Sequence, residues 1–533
     1  MNGGSTAETA PAAKEPFAPG TLMVLVAMGL GVLLIANDFT ALNVALPAIE
    51  DDFEVDVSTA QWVINAYALV FGMAIVTGGR LADMLGRRRI FFIGAVIFAV
   101  FSALGGLAPN IQLLIAARVL MGIGAAMMWP AILGMTFAAL PASRAALAGA
   151  LILGIAGIGN ASGPLLGGFL TDALNWRWIF FLNVPTAVFA ILVTAARVHQ
   201  SDERSEERLD YAGIVSLSLA LLLVLLALDQ VPDWGVGDPR VLGMLAAAAA
   251  LIAVFGFIEP RMGANALVPG DVIRNVPFAA ACVTTLMMSA VFFATVLYIP
   301  QFLQKILDWS PLESGLGMLP MLGLFALCSF GSGRVYDRIG AKATILIGTI
   351  CLAIGPFLLS LVPEDAGYGS FVPGLAMTGI GVGIFYPSVT TAAVTALDEA
   401  RSSLAGGLMY MFQIAGGAIG LGLTTAIFES VSENEVSEKA SEAGAQLTEA
   451  QENVVHGVLA GTDSGERAFD QLSTVGADRA LEIVRDSFVA GIHAGFLVVS
   501  LIAVAGCVVA LLFVGGPLRK AKTSQETAAS DTA

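Results

Sequence analysis

Two ionisable residues stand where charge is costly. Asp38 and Arg118 each sit inside an apolar run long enough to be a membrane helix, and a charge at that depth marks a function by default. At about 1.5 Å of rise per residue, Asp38 lies roughly 18 Å along its helix from Glu50, and Arg118 roughly 12 Å from Asn110. The two therefore fall at similar depth and could compensate each other. A carboxyl so placed is suited to taking up and releasing protons. The plainer alternatives are a carboxyl that only hydrogen-bonds neighbouring helices and a guanidinium fixed on backbone carbonyls. A second acid, Asp83, lies between Gly79 and Gly86 among Arg80, Arg87, Arg88 and Arg89. Membrane topology alone accounts for the arginines, but it does not account for Asp83. Enzyme chemistry lacks its groups: His199, His456 and His493 are far apart, and none is beside a mid-span acid. The four cysteines lie in apolar runs without metal-ligand spacing and read as small core residues. No Gly-x-x-x-x-Gly-Lys-Ser/Thr phosphate loop is present, so nucleotide hydrolysis is not expected. No metal and no cofactor is expected.

The elements that must position these residues follow from composition. Of 533 residues, 57% are hydrophobic and 13% charged, against about 25% charged in a soluble protein. There are too few polar residues to cover a globule in water, and the net charge of −16 argues against binding nucleic acid. Apolar runs near 21–49, 59–80, 90–108, 111–139, 145–171, 178–197, 211–231, 241–259, 277–304, 313–334, 342–362, 370–397, 403–429 and 488–515 predict fourteen spans. They must be helices, because unpaired backbone groups are too costly in lipid, and they lack the alternation of barrel strands. Residues 1–20 carry one base and no short apolar core with a cleavage site, so the first run is expected to be an uncleaved span. If both termini are cytoplasmic, eighteen of the 26 bases fall in inner segments and three in short outer loops. That asymmetry sets the orientation, and the expected location is the cell's inner (plasma) membrane.

A repeat organises the spans. Gly79-Arg80-x-x-Asp83-x-x-Gly86-x-Arg88 after the second span returns as Gly333-Arg334-x-x-Asp337-x-x-Gly340-x-Lys342 after the tenth, with Arg338 inside the second copy. Six plus two plus six spans follow. The expected divisions are a cytoplasmic tail 1–20, a six-helix bundle 21–197, a charged linker 198–210, and two inserted helices 211–259. A second six-helix bundle over 277–515, interrupted by a long acidic outer loop 431–487, and a tail 516–533 complete the chain. Apolar residues recur at helical spacing in the long loop, which fits either a solvated cap or a lid over an exit path. Gly154, Gly157, Gly163, Gly167 and Gly168 make one helix thin enough for close packing, and Pro164 permits a kink. Polar and aromatic candidates for contact with a substrate are Asn43, Gln61, Asn65, Tyr67, Tyr298, Gln301, Tyr386, Tyr410 and Gln413, with Met409, Met411 and Phe412 beside two of them. For each, interhelical packing or a lipid-facing position is the plainer reading.

Gly79 to Arg89 resembles the cytoplasmic signature of the major facilitator superfamily. Asn37-Asp38-Phe39-Thr40-Ala41-Leu42-Asn43-Val44-Ala45-Leu46-Pro47, Leu114 to Ala126, Gly154 to Gly168 and Trp176 to Pro185 are similar to further motifs of its fourteen-span drug:proton antiporters, in order and at matching helices. The resemblance implies an all-α membrane fold of two pseudo-twofold bundles. It implies a proton-driven efflux antiporter for amphiphilic drugs, dyes and antibiotics that works by alternating access and needs only the proton gradient. The alternative is an exporter of one endogenous compound, such as a lipid, siderophore or self-made antibiotic. It further implies that Asp38 and Arg118 couple protons, although Met121 stands where the family often has Gln. It makes Gly79, Arg80, Asp83, Gly86, Arg87 and Arg88, with Asp337 and Arg338 in a weaker second copy, a cytoplasmic gate. In that gate Asp83 would bond a helix N-terminus or an Arg of the opposite half. The glycines of the fifth span would be a hinge and seal. Protons, a small-molecule substrate and lipid are the expected partners, and a periplasmic adaptor is left open.

Overall fold

The computed structural model describes residues 20–55, 57–198, 210–235, 237–307, 309, 311–363, 366–442 and 477–514. Among these are fourteen long helices, connected mostly by short turns. The first six are α1 (Thr21–Phe53), α2 (Val57–Leu85), α3 (Arg87–Gly106), α4 (Ile111–Ala138), α5 (Ala145–Ala173) and α6 (Arg177–Arg197). A pair follows, α7 (Tyr211–Asp229) and α8 (Pro239–Met262). The last six are α9 (Val276–Lys305), α10 (Leu319–Ile339), α11 (Ala341–Leu359), α12 (Val372–Thr395), α13 (Ser402–Glu442) and α14 (Ala477–Phe513). Some of their starts are set by side chains that take up free N–H groups of a first turn. Asn110 accepts from the Leu113 N–H at 2.9 Å, Asp210 from Gly213 at 2.8 Å and Asn275 from Phe278 at 3.0 Å.

Thirteen of these helices are long and apolar enough to cross a membrane, so the chain is an all-α, multi-pass membrane protein. The exception is α10, whose serines, glycines and Arg334, Asp337 and Arg338 dilute its apolar residues. It nonetheless packs between α5, α11 and α12. Two boundaries differ from expectation. The segment Gly79–Leu85 continues α2 rather than forming a loop, and only Gly86 stands between α2 and α3. A helix whose apolar part ends can run on into a polar layer until a residue breaks it. Gly86, at φ 99°, does so with a conformation that side chains disfavour, and Gly340, at φ 88°, does the same between α10 and α11. At the far end, α13 and α14 run past their apolar stretches into the long acidic loop. There Lys439 Nζ bonds Asp486 Oδ2 at 2.8 Å and Ser432 Oγ donates to the Ser487 carbonyl at 2.9 Å. The periodic stretch around Val454–Leu459 lies outside the described residues, as does most of the linker 198–210.

The helix pairings show the repeat in three dimensions. In the first half α1 packs on α5 and α6, α2 on α4, and α3 on α4 and α6. Adding eight to each label gives the pairings of the second half: α9 on α13 and α14, α10 on α12, and α11 on α12 and α14. Contacts between the halves obey the same exchange. The pair α2 and α13 matches α10 and α5, and the pair α4 and α13 matches α12 and α5. The repeated glycines show it atom by atom. A Cβ on Gly79 would stand 2.7 Å from the Ser403 carbonyl oxygen of α13, and one on Gly333 would stand 3.0 Å from the Ala146 carbonyl oxygen of α5. The pair α7 and α8 packs on itself, α7 also touches α2 and α13, and most of α8 is left exposed.

Gly94 of α3 and Gly124 of α4 face each other in close approach. A Cβ on Gly94 would lie 2.6 Å from the Gly124 carbonyl oxygen, and one on Gly124 would lie 2.7 Å from that of Gly94. Backbone cannot yield as a side-chain tip can, so α3 and α4 must separate to admit a larger residue. Gly124→Val is expected to cost about 1–3 kcal/mol or more through overpacking, seen as a lower unfolding temperature of the detergent-solubilised protein. Gly243→Ala on α8, where a Cβ would meet nothing within 4 Å, is expected to leave that temperature unchanged or raise it, since Ala is the better helix former.

Candidate functional site

Five helices of the first half converge on Asp38. It is fully buried on α1, as is Arg118 on α4. Asp38 Oδ2 accepts from Arg118 Nη1 at 2.5 Å, and Asp38 Oδ1 accepts from Asn183 Nδ2 of α6 at 2.8 Å. Asn183 also reaches Ser102 Oγ of α3 at 3.2 Å, and that hydroxyl donates to the Phe180 carbonyl at 2.8 Å. From α2, the Val63 carbonyl accepts from Arg118 Nε at 2.6 Å, and the Tyr67 ring lies 4.2 Å from the guanidinium carbon. Arg118 thus has both partners that the sequence left as alternatives, a carboxylate and a backbone carbonyl. Two buried polar atoms here, Arg118 Nη2 and Tyr67 Oη, have no hydrogen-bond partner among the described residues. Ser102 does not stand out in the sequence, and Asn183 does so only as one position of the Trp176–Pro185 stretch. The available signal is an amide inside the apolar α6, but nothing local ties it to Asp38, 145 residues away.

An aromatic chain runs from this pair towards the second half. Tyr67 stacks on Phe71 at 5.9 Å, Phe71 meets Tyr410 at 5.3 Å, and Tyr410 meets Trp129 at 4.5 Å. Trp129 and Tyr410 line a small cavity between the halves. The first half also contributes Leu133 and Leu153, and the second half Thr285, Thr390, Met409 and Gln413. The lining is aromatic, aliphatic and thioether, with hydroxyls, one amide and no charge. Cys282 Sγ lies behind it, 3.7 Å from Met409 Sδ. Of the substrate-contact candidates, Tyr410 and Gln413 line this cavity. Tyr67 lies beneath Arg118. Tyr386 is buried with its hydroxyl 2.9 Å from that of Ser289, and Tyr298 pairs with Thr425 at 2.9 Å. Asn43 and Gln61 are exposed, with Asn43 donating to the Thr40 carbonyl at 3.2 Å. Asn65 and Gln301 are half-buried and do not line the cavity.

At the end carrying Gly86, the two halves are joined through Asp83. Its side chain is 4% exposed. Asp83 Oδ2 accepts from the Leu404 N–H at 2.8 Å and Asp83 Oδ1 from the Ser403 N–H at 3.3 Å. These are free donors of the first turn of α13, at the positive end of its dipole. Arg87 Nε sits 3.3 Å from the same carboxylate, and Arg87 Nη1 donates to the Gly134 carbonyl at 3.3 Å. Arg88 Nη2 donates to the Ala195 carbonyl at 2.9 Å. Arg80 is buried, Arg338 is exposed and Asp337 half-buried. The α5 glycines divide between two neighbours. Gly154 and Gly157 face Phe330 and Phe325 of α10, across the halves, whereas Gly163 and Gly167 face Thr40 and Ala41 of α1. Gly168 only touches Val44 at 3.5 Å, and the side chain of Pro164 lies outside the described residues.

Removing one member of a buried pair leaves the other charge uncompensated, which costs about 3–5 kcal/mol. Arg118→Leu is therefore expected to lower the unfolding temperature markedly, and Arg118→Leu with Asp38→Asn to recover much of the loss. A thermal scan of the native protein and both variants in detergent reads this directly.

A family model for the Major Facilitator Superfamily matches residues 28–421. Over 500 residues the chain is 31% identical to the tetracenomycin C resistance and export protein of Streptomyces glaucescens, covering 91% of this chain and 90% of that protein. Over 400 residues it is 33% identical to the multidrug resistance protein Stp of Mycobacterium tuberculosis, covering 75% of this chain and 74% of that one. The lincomycin resistance protein of Streptomyces lincolnensis is 32% identical over 408 residues, with 76% and 84% covered. In fold, the chain is similar to the human organic anion transporter MFSD10 (TETRAN), with a TM-score of 0.59 at 14% identity, over 92% of this chain and 100% of that one. The repeated helix pairings, the shared signature at two helix ends and these matches lead to one conclusion: the chain belongs to the major facilitator superfamily of membrane transporters.

Proposed function

We propose that the protein is a proton-coupled exporter of amphiphilic, aromatic small molecules, drugs and antibiotics among them, working by alternating access. The observation that carries this reading is the buried Asp38–Arg118 pair, linked through Tyr67, Phe71 and Tyr410 to an uncharged cavity between the halves. The names of the relatives, which are resistance and export proteins, support it. The excess of bases near Gly86 supports a cytoplasmic position for that end and for both termini, in a plasma membrane. With Asp83 seated on α13, the protein is then closed towards the cytoplasm.

The chemistry follows from charge. The Asp38 carboxylate accepts from Arg118 and Asn183, so a proton arriving on it removes the negative charge that holds the guanidinium. Arg118 then rests on the Val63 carbonyl and the Tyr67 face alone, and a shift of Tyr67 is passed to Phe71, Tyr410 and the cavity wall. Each proton moving inward across 100 mV releases about 2.3 kcal/mol. That energy drives export only if the protonated and substrate-bound states favour opposite facings. The cavity suits flat apolar ligands: Trp129 and Tyr410 offer ring faces, Met409 adapts its shape, and Gln413 supplies hydrogen bonds. A narrower reading, one compound only, is favoured by relatives named for single antibiotics.

Proteoliposomes with an imposed pH gradient test this. The native protein is expected to concentrate aromatic dyes and antibiotics against their gradient. Asp38→Asn is expected to reach only the level of protein-free vesicles while still binding them. Concentrative transport by Asp38→Asn would remove that carboxyl from the mechanism, and transport of one compound out of a broad panel would establish the narrower reading. Asp83→Asn keeps a neutral cap on α13 but loses its charge. Caps and dipole contacts of this kind are worth about 0.5–2 kcal/mol, so the cytoplasm-closed population should fall roughly 2- to 30-fold relative to the open one. Spin-label distances across the α2–α13 contact measure that ratio.

A further inference from the structure

The inserted pair of helices carries a second site of buried charge, away from Asp38 and from the cavity. Asp210 begins α7 and Glu259 lies near the end of α8; they are 2% and 4% exposed. Half of each carboxylate has an ordinary task. Asp210 Oδ1 accepts from the Gly213 N–H at 2.8 Å, and Glu259 Oε1 accepts from the Val268 N–H. The other halves meet. Asp210 Oδ2 and Glu259 Oε2 both occupy the space over Gly213 that a Cβ there would need, with Glu259 Oε2 3.0 Å from that position. Both oxygens are buried, and neither accepts a hydrogen bond from any described residue. The side chains acting on Glu259 by charge or hydrogen bond are Asp210 itself and Arg80 of α2, a buried member of the Gly79–Arg89 signature.

Two carboxylate oxygens brought together out of water are both acceptors, and each lacks a donor. Ionised together they repel and stay unsatisfied, a costly combination in a low-dielectric site. A single hydrogen between them removes one charge and satisfies both atoms at once, as in other carboxyl pairs that titrate as a unit. We propose that Asp210 and Glu259 form a second proton-binding site, holding one hydrogen between Oδ2 and Oε2, and that the charge of this pair sets its pull on Arg80 beside the gate. The proton comes from water at that end and returns to it, and no other reactant is needed. With the proton bound, the pair carries one negative charge; without it, two, and Arg80 is drawn harder towards the inserted helices. Gly213 is required because any side chain there would displace the two oxygens. The hairpin is then more than a lipid-facing addition: α7 lies against both α2 and α13, the two helices that Asp83 joins.

The site's existence is independent of the function proposed for Asp38, and only its effect on the gate rests on that reading. The test uses the full chain in lipid. Infrared difference spectra recorded while pH is stepped report protonated carboxyls by their C=O stretch. In the Asp38→Asn background, a protonated-carboxyl band is expected to titrate, and to vanish when either Glu259→Gln or Asp210→Asn is added. Both replacements keep their backbone hydrogen bonds, because the amide oxygen that each introduces can still accept, from the Val268 N–H in the first and from the Gly213 N–H in the second. With Asp38 intact, the same two substitutions are expected to flatten the dependence of dye export on internal pH while leaving export coupled to the gradient. A spectrum without such a band, or with a band that survives both substitutions, overturns the site. A band that vanishes while the internal-pH profile stays native overturns its link to Arg80. Loss of all coupling only in Asp38→Asn speaks to Asp38 and leaves the pair as found.

Discussion

A charge cannot be left alone in the interior of a membrane protein, and the first half of this molecule is arranged around that constraint. Asp38 and Arg118 are fully buried, and each is tolerable only because the other is there. Satisfying the remaining atoms draws in a carbonyl and a ring from α2, an amide from α6 and, through it, a hydroxyl from α3. Five of six helices are thereby fixed in rotation about one carboxylate. The glycines of α5 bring α1 close at Thr40 and Ala41, immediately after Asp38, so packing and polar satisfaction act on the same stretch of backbone. An arrangement held by one charge pair is also one that a proton can loosen.

The second half is built on the same pairings but given different chemistry. It supplies the cavity with hydroxyls, a thioether, an amide and a phenol, and no described charge lines that space. The halves meet through aromatic side chains such as Tyr410 and Phe330 and, at the end carrying Gly86, also through backbone. Gly79 lies against the Ser403 carbonyl, Gly333 against that of Ala146, and Asp83 takes N–H groups of α13. Contacts of this type are short-range and easily made or broken if rigid bodies move, which suits the alternating access proposed above. Asp83 adds an electrostatic term to one of them, because a helix N-terminus favours an anion only when it is within the first turn. The inserted helices touch this region through α7, so charge on them acts close to where the halves meet.

Much of this was legible in the sequence because the signals are local or compositional. Apolar runs of about twenty residues dictate membrane helices, and a ten-residue motif seen twice dictates the repeat. Asp38, Arg118 and Asp83 announced themselves by standing out against apolar or basic surroundings. Asn183, Ser102, Asp210 and Glu259 did not. An amide, a hydroxyl and two acids near span ends are unremarkable one at a time, and their importance lies in what they meet. The candidate substrate contacts show the same limit. Tyr410 and Gln413 reach the cavity, whereas Tyr298 and Tyr386 spend their hydroxyls on neighbouring helices. Trp129 and Thr390 line the cavity, yet nothing in their local sequence sets them apart.

Reading the chain in order is enough to establish that it crosses a membrane many times in two related halves, and that it keeps one acid and one base at depth. Hydrophobic length, charge bias and repetition are properties of that linear order. Only the packed bundle brings the acid and base into contact, seats Asp83 on the first turn of α13, and makes Asp210 share its outer oxygen's space with Glu259. Each is a contact between residues 49 to 321 positions apart. Such distances are closed only when helices choose their rotation and neighbour, and that choice belongs to the packing of all the helices together.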